Sequence, residues 1–163
     1  HDVIAEDLGY VTDSVRWLVH ETGFPGMKVL EFAFDSRDSG SANDYLPHNY
    51  VENSVVYTGT HDNETLVGWL DSIKEEELEA ARDYMCDHHT PKELLYKSFI
   101  SMAMRSSART CIIPLQDYMG LDNSCRMNQP STVGKNWRWR LTEADLSKEL
   151  KEEILSVTRR YGR

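Results

Sequence analysis

The sequence predicts an α/β fold in which about four parallel strands are covered by helices. Short apolar runs alternate with amphipathic segments along its 163 residues, which is typical of β/α units. The runs are apolar on both faces, as expected of strands that helices bury on each side of a parallel sheet. This pattern fits either a doubly wound sheet or part of a (β/α)8 barrel, since a full barrel needs about 250 residues and eight strands.

The four strand-like runs follow one another with helices and polar loops between them. They cover residues 3–5, 27–34, 55–58 and 111–115. Thr12 or Asp13 is a candidate cap for a helix after the first run, and Gly23 ends that helix. Later helices are expected near residues 65–70, 74–86, 91–108 and 146–161. Trp137 and Trp139 alternate as in a strand, a spacing that favours two core side chains.

Composition excludes several classes of partner. The formal net charge is −9, which argues against nucleic acid and against an anionic membrane surface. No apolar run is long enough to cross a bilayer. The cysteines, Cys86, Cys111 and Cys125, match neither a zinc site nor a disulfide framework, and scattered thiols suit a reducing, cytoplasmic setting. We therefore expect no metal site.

Polar side chains follow three of the predicted strands. Glu6 and Asp7 end the first, Asp35 ends the second, and His61-Asp62-Asn63 follows the third. Active-site groups of a barrel lie at the carboxyl ends of its strands, so these carboxylates can converge on one rim. Glycoside chemistry needs such a set, because one carboxyl protonates the leaving oxygen while another stabilises or attacks the sugar carbon.

Each of these groups also has a structural interpretation. Glu6 or Asp7 could cap the following helix, because acidic groups are favoured at helix N-termini. His61-Asp62 could form a hydrogen-bonded turn, and Asp35 could simply open a loop. Residue types and spacing alone leave both interpretations open.

Five segments of the chain form distinctive motifs. They are IAEDLG at residues 4–9, GMKVLEFAF at 26–34, LPHNY at 46–50, YTGTHDN at 57–63, and RMN with NWRWR between 126 and 140. In this order, and covering nearly the whole chain, they resemble the 4-α-glucanotransferases of the amylomaltase type.

The resemblance implies a fold, a substrate and four site residues. Glu6 matches the general acid/base, and Asp62 matches the carboxylate that stabilises the transition state. His61 and Asn128 match positions that contact the substrate, a maltooligosaccharide or α-1,4-glucan. The implied reaction is retaining transfer of glucan segments without a cofactor. The implied fold is the C-terminal half of a (β/α)8 barrel, with residues 1–163 as one partial catalytic domain.

The sequence departs from the family pattern in one important respect. The family's nucleophile is an aspartate in an R-x-D-H motif, and no such motif occurs in these residues. A smaller departure is Ser131, where the family usually has glycine. We therefore expect this chain alone to be inactive. We also expect it to self-associate or to bind a partner that supplies the N-terminal half of the barrel, since open sheet edges and uncovered apolar faces favour association.

Three other functions remain open from the residues. His61-Asp62 resembles the pair of HD-type metal phosphohydrolases, although those pairs lie on helices. A non-catalytic glucan-binding module could use aromatic side chains as stacking platforms, the candidates being Tyr50, Tyr57, Trp69 and Trp139. A glycoside hydrolase that uses water as acceptor is the third.

Overall fold

A parallel sheet organises the described part of the chain. The computed structural model describes residues 2–9, 11–37 and 42–163. Within these residues the sheet contains the strands β1 (Gly26–Val29), β2 (Ser54–Tyr57) and β3 (Thr110–Ile112). Their order is β1-β2-β3, and β2 pairs in parallel with both neighbours. The α/β prediction is confirmed, with three strands rather than about four.

The first apolar run, residues 3–5, forms a bridge and not a strand. Ala5 pairs in parallel with Gly26, and its N–H donates to Pro25 O at 2.9 Å. The next N–H along β1, that of Met27, donates to the Asp7 carboxylate at 2.7 Å. The ladder of backbone hydrogen bonds ends here. The Asp7 side chain accepts from the Met27 N–H in the place where a backbone carbonyl of a fourth strand would accept.

The second run is a strand over only half its length. β1 ends at Val29, and Leu30–Phe34 forms a 3₁₀ helix. The prediction of one strand over residues 27–34 is therefore wrong beyond Val29. This 3₁₀ helix is hydrogen-bonded to the residue after β2, because the Glu31 N–H donates to Thr58 O at 3.2 Å. Apolar pattern alone cannot separate a buried strand from a short buried helical turn.

The predicted caps of the first helix are confirmed. Helix α1 spans Asp13–Thr22, Thr12 accepts from the Val15 N–H, and Gly23 adopts φ 68°. Glycine tolerates this left-handed conformation because it has no Cβ. The remaining α-helices are α2 (Leu66–Ser72), α3 (Glu75–Met85), α4 (Leu95–Met104), α5 (Leu115–Tyr118) and α6 (Lys148–Arg160).

The core lies between the sheet and helices α2 to α4. Phe99 of α4 is fully buried and packs edge to face on Phe34 and on Trp69, with ring centroids 5.9 and 5.2 Å apart. Helix α1 lies outside this core and has no buried residue. None of the helices in the described ranges combines the length and apolar character needed to cross a lipid bilayer.

Asp117 joins three elements at the end of β2. Its carboxylate accepts from the Thr58 hydroxyl at 2.5 Å and from the Leu66 N–H at 2.8 Å. The side chain is almost fully buried, and burial raises its pKa. The start of α2 is thereby fixed against both β2 and α5.

The first turn of α2 packs closely on a neighbouring loop. A Cβ on Gly68 would overlap the Asn123 side chain. Asn123 cannot easily move, because it accepts from the Thr65 N–H at 3.1 Å and donates to Glu64 at 2.6 Å.

Gly68→Ala is therefore expected to destabilise the chain. Helix propensity alone would make the change favourable by about 1 kcal/mol, but overpacking costs about 1–3 kcal/mol. Urea unfolding of the variant should show a lower free energy of unfolding. The double variant Gly68→Ala/Asn123→Ala is the control, since it removes the overlap. If the Gly68→Ala variant has the same free energy of unfolding as the parent, the loop that carries Asn123 moves aside without loss of stability and the prediction is wrong.

Candidate functional site

The predicted residues His61 and Asp62 lie in a tight turn after β2. The Asn63 N–H donates to Thr60 O at 3.2 Å. The Asn63 side-chain oxygen accepts in return from the Thr60 N–H at 2.9 Å and from its hydroxyl at 2.7 Å. Asn and Thr side chains commonly close turns in this way. His61 and Asp62 are the two central residues of the turn and are both substantially exposed.

A second loop, Arg126 to Asn128, braces this turn. The Arg126 guanidinium donates to Asp62 O at 2.6 Å and to Asn128 O at 2.9 Å. The Asn128 N–H donates to His61 O at 3.0 Å. The two loops therefore hold each other through backbone carbonyls, and the structure brings the predicted residues His61, Asp62 and Asn128 together.

The Asp62 carboxylate has one engaged oxygen. The Asn128 amide donates to Oδ1 at 2.6 Å, and His61 Nε2 lies 3.2 Å from the same atom. Among the residues that the structure describes, none donates to Oδ2. The side chain is 46% exposed, so this oxygen is free to accept from a ligand.

Trp137 lies beside the turn, contrary to its interpretation as part of a core strand. Its ring stacks obliquely on His61 with centroids 5.1 Å apart, and it is 51% exposed. The backbone has φ 62°, which no strand residue adopts, and its N–H donates to Met127 O at 2.7 Å. The alternation of Trp137 and Trp139 therefore does not mark a strand.

A cavity of about 640 Å³ opens beside Asp62. Phe32, Trp69 and Asp35 also line this cavity. Asp35 forms an ion pair with Arg37 at 2.6 Å, and the hydrogen bonds from Arg37 lower the Asp35 pKa to about 2. Asp35 is thus held as an ionised carboxylate at the cavity wall, and its pairing agrees with the structural interpretation given from the sequence.

Glu6 is the fourth predicted site residue. Its carboxylate accepts from the Leu8 N–H at 2.9 Å and is exposed. In the described part of the chain, Glu6 is not among the residues that line the cavity beside Asp62. Asp7, its neighbour, is turned toward β1 and occupies the space that a side chain on Gly26 would fill. The structure therefore groups three of the four predicted site residues, and the hydrogen bond of Glu6 is made within its own segment.

The geometry also bears on the alternative functions. His61-Asp62 lies in a turn and not on a helix, and the described residues contain no group of three or more His, Cys, Asp or Glu side chains that could hold a metal ion. Tyr50 cannot be a stacking platform, because it is buried and its hydroxyl donates to Tyr45 O at 2.7 Å.

Two residues of this region are not predicted from the sequence. Arg126 belongs to the RMN motif, and its guanidinium donates to backbone carbonyls of both loops. Glu31 lies within an apolar run, yet it is buried and lines the same cavity. A lone acidic residue inside such a run is the signal that could have identified Glu31, because buried carboxyls are uncommon.

Comparisons with known proteins agree on one family. The chain is 44% identical to a 4-alpha-glucanotransferase from Clostridium butyricum, over 99% of this chain and 32% of that protein. It is 45% identical to one from Synechocystis, over 99% and 31%. The amylomaltase from Streptococcus agalactiae in complex with acarbose matches with a TM-score of 0.90 and 37% identity, over 98% of this chain and 32% of that one.

The chain thus spans about a third of the length of these relatives. The model of one family, described as 4-alpha-glucanotransferase, matches residues 1–147. The chain belongs to the 4-alpha-glucanotransferase family.

Proposed function

We propose that this chain supplies two carboxyl groups to a retaining transferase that moves α-1,4-glucan segments between maltooligosaccharides. The observation that carries the proposal is the arrangement at Asp62. Asn128 and His61 hold one carboxylate oxygen, and Asp62 lines a cavity whose volume of about 640 Å³ exceeds that of a sugar ring. The relative that binds acarbose supports a glucan-like ligand at such a site.

The roles of the residues follow from the chemistry of retaining transfer. Glu6 gives its proton to the glycosidic oxygen as the bond to the anomeric carbon breaks, and later takes a proton from the acceptor hydroxyl. Asp62 accepts hydroxyls of the sugar and stabilises the positive charge that develops on the ring. His61 and Asn128 orient Asp62 and contact the same sugar. The carboxylate that attacks the anomeric carbon matches no residue of this chain.

A barrel is the architecture that would bring Glu6 and Asp62 to one sugar. We propose that β1, β2 and β3, with the segment around Ala5, form the C-terminal half of a (β/α)8 barrel. The parallel pairing of Ala5 with Gly26 supports this placement, since it sets the first run beside β1 in the order a barrel requires. The similarity to an amylomaltase supports it as well.

A cytoplasmic location remains part of the proposal. The cysteines Cys86, Cys111 and Cys125 are all free thiols, as expected of a reducing compartment.

The site residues can be tested in a chimaera. In it, this chain replaces the matching third of the Streptococcus agalactiae amylomaltase, whose remaining segment supplies the rest of the protein. We expect the chimaera to disproportionate maltotriose. Asp62→Asn should lower kcat by about 10²–10³, because a neutral amide loses the electrostatic stabilisation. Glu6→Gln should lower it by about 10²–10⁴ through loss of proton transfer.

The matched control for these variants is Asp71→Asn, an exposed carboxylate at the end of α2, which should leave kcat unchanged. Full activity of the Asp62→Asn chimaera would contradict the role given to Asp62.

The isolated chain is expected to bind glucan without turning it over. Retention on amylose should be measurable, because the cavity beside Asp62 is present in this chain. Glucose release from maltotriose should be absent, since the attacking carboxylate is not supplied. Robust glucose release by the purified chain would refute this account of the nucleophile.

The isolated chain is also expected to self-associate through the outer face of α1. Trp17 is 63% exposed and Leu18 55% exposed on this helix, and Val3 and Ile4 are each 44% exposed. Exposed apolar surface favours association. Size-exclusion chromatography should give a dimer or a larger species, and Trp17→Lys/Leu18→Lys should shift it toward the monomer. A parent chain that elutes as a clean monomer would count against this prediction.

A further inference from the structure

Trp137 has a backbone conformation that is unusual for a bulky residue. Its φ of 62° lies in the left-handed region, where a residue with a Cβ is strained unless its surroundings hold it there. Hydrogen bonds hold Trp137 on both sides, since its N–H donates to Met127 O at 2.7 Å and its carbonyl accepts from the Arg140 guanidinium at 2.7 Å. Strained residues cluster at functional sites, and the indole of Trp137 lies on His61, in the turn that carries Asp62.

The segment before Trp137 is closed by the side chain of Asn136. The Asn136 oxygen accepts from the Gln129 N–H at 3.0 Å. Its amide donates to Gln129 O at 3.3 Å and to Thr132 O at 3.1 Å. Residues 129–136 therefore form a loop with internal hydrogen bonds, and this loop sets where the chain enters Trp137. The backbone on either side, rather than burial, determines where the half-exposed indole lies.

His61 is the side chain on which the indole packs. The two ring centroids are 5.1 Å apart, and the ring planes are inclined at 35°. The His61 side chain is 57% exposed, and its Nε2 lies 3.2 Å from Oδ1 of Asp62. An exposed side chain without restraint changes rotamer within nanoseconds. Stacking on Trp137 restricts the directions that the imidazole can take and so keeps Nε2 beside Asp62.

We propose that Trp137 is a positioning residue, whose indole fixes the imidazole of His61 so that Nε2 stays against Oδ1 of Asp62 and Oδ2 stays available to the ligand. The Asn128 amide donates to the same Oδ1 at 2.6 Å. The carboxylate is therefore held from two directions only while His61 keeps its orientation. The effect on turnover rests on the function proposed above for Asp62, whereas the effect on the His61 side chain does not.

The first experiment measures the rotamer of His61 by NMR in this chain. Three-bond couplings to its Cγ report χ1, and NOEs between its ring and the Trp137 indole report the stacking. The parent chain should show these NOEs and the couplings of a single rotamer. Trp137→Gly removes the indole at a position where glycine adopts the same φ without strain, and it should average the His61 couplings. Trp137→Phe keeps an aromatic ring and should keep the single rotamer.

Two controls separate the orientation of His61 from the integrity of the loop. Val133→Ala changes a 96% exposed apolar side chain of the same loop and should leave the His61 couplings unchanged. The side-chain amide signals of Asn136 report the loop itself, because they depend on its internal hydrogen bonds. In Trp137→Gly they should stay distinct from those of an unfolded chain.

Three NMR outcomes would overturn the proposal. The first is a single His61 rotamer in Trp137→Gly, and the second is the absence of the NOEs from the parent chain. The third is the collapse of the Asn136 amide signals to unfolded-chain values in Trp137→Gly, because Trp137 would then be needed for the fold of the loop and not for the orientation of His61.

The second experiment is a double-mutant cycle in the chimaera. Trp137→Gly should lower kcat about 10-fold with little change in KM, because a misoriented group costs rate more than binding. Trp137→Phe should keep most of the parent rate. His61→Ala should also lower kcat. Adding Trp137→Gly to His61→Ala should then cause no further loss, since both changes remove the same interaction.

A further loss of kcat in the double variant, or a raised KM in place of a lowered kcat, would contradict the positioning role and would indicate that the Trp137 indole touches the sugar itself. Failure of Asp62→Asn to lower kcat would contradict the proposed function instead. The NMR result does not depend on turnover, so the two failures are distinguishable.

Discussion

The pairing of β2 on both sides is the constraint on which the site depends. β1 and β3 satisfy its backbone in parallel, and Val55 and Val56 are buried on its two faces. Thr58, where the chain leaves the sheet, is also fully buried, so its hydroxyl needs a partner and finds Asp117. The path of the chain is therefore fixed before it turns at residues 60–63. A turn anchored in this way can present a carboxylate without relying on a flexible loop.

The acidic side chains around this turn differ mainly in their access to water. Glu31 and Asp117 are buried, and burial raises the pKa of each. Asp62, in contrast, is almost half exposed and receives an amide N–H on one oxygen. Burial therefore disfavours the charged forms of Glu31 and Asp117, whereas the Asp62 carboxylate is accessible to water. This arrangement suits a site in which one carboxylate must meet developing positive charge.

The sequence predicted those features that depend on local chemistry. Thr12 and Gly23 bound α1 as expected because capping and left-handed backbone are properties of single residues. The grouping of His61, Asp62 and Asn128 was implied by motifs, and the structure brings these residues together. The turn into a 3₁₀ helix after Val29, the exposed position of Trp137 and the burial of Glu31 all depend on which distant segment packs there. A short stretch of sequence does not specify which distant segment packs against it. The position of Glu6 relative to Asp62 depends on such packing in the same way.

The most direct test is a crystal structure of the chimaera with acarbose bound. If this chain supplies both groups, the carboxyls of Glu6 and Asp62 will lie within hydrogen-bonding distance, about 3 Å, of one inhibitor unit. Asp62 Oδ2 will then accept from a ring hydroxyl while Oδ1 keeps its bond to Asn128. An inhibitor bound elsewhere, or in contact with only one of the two carboxyls, would contradict the account.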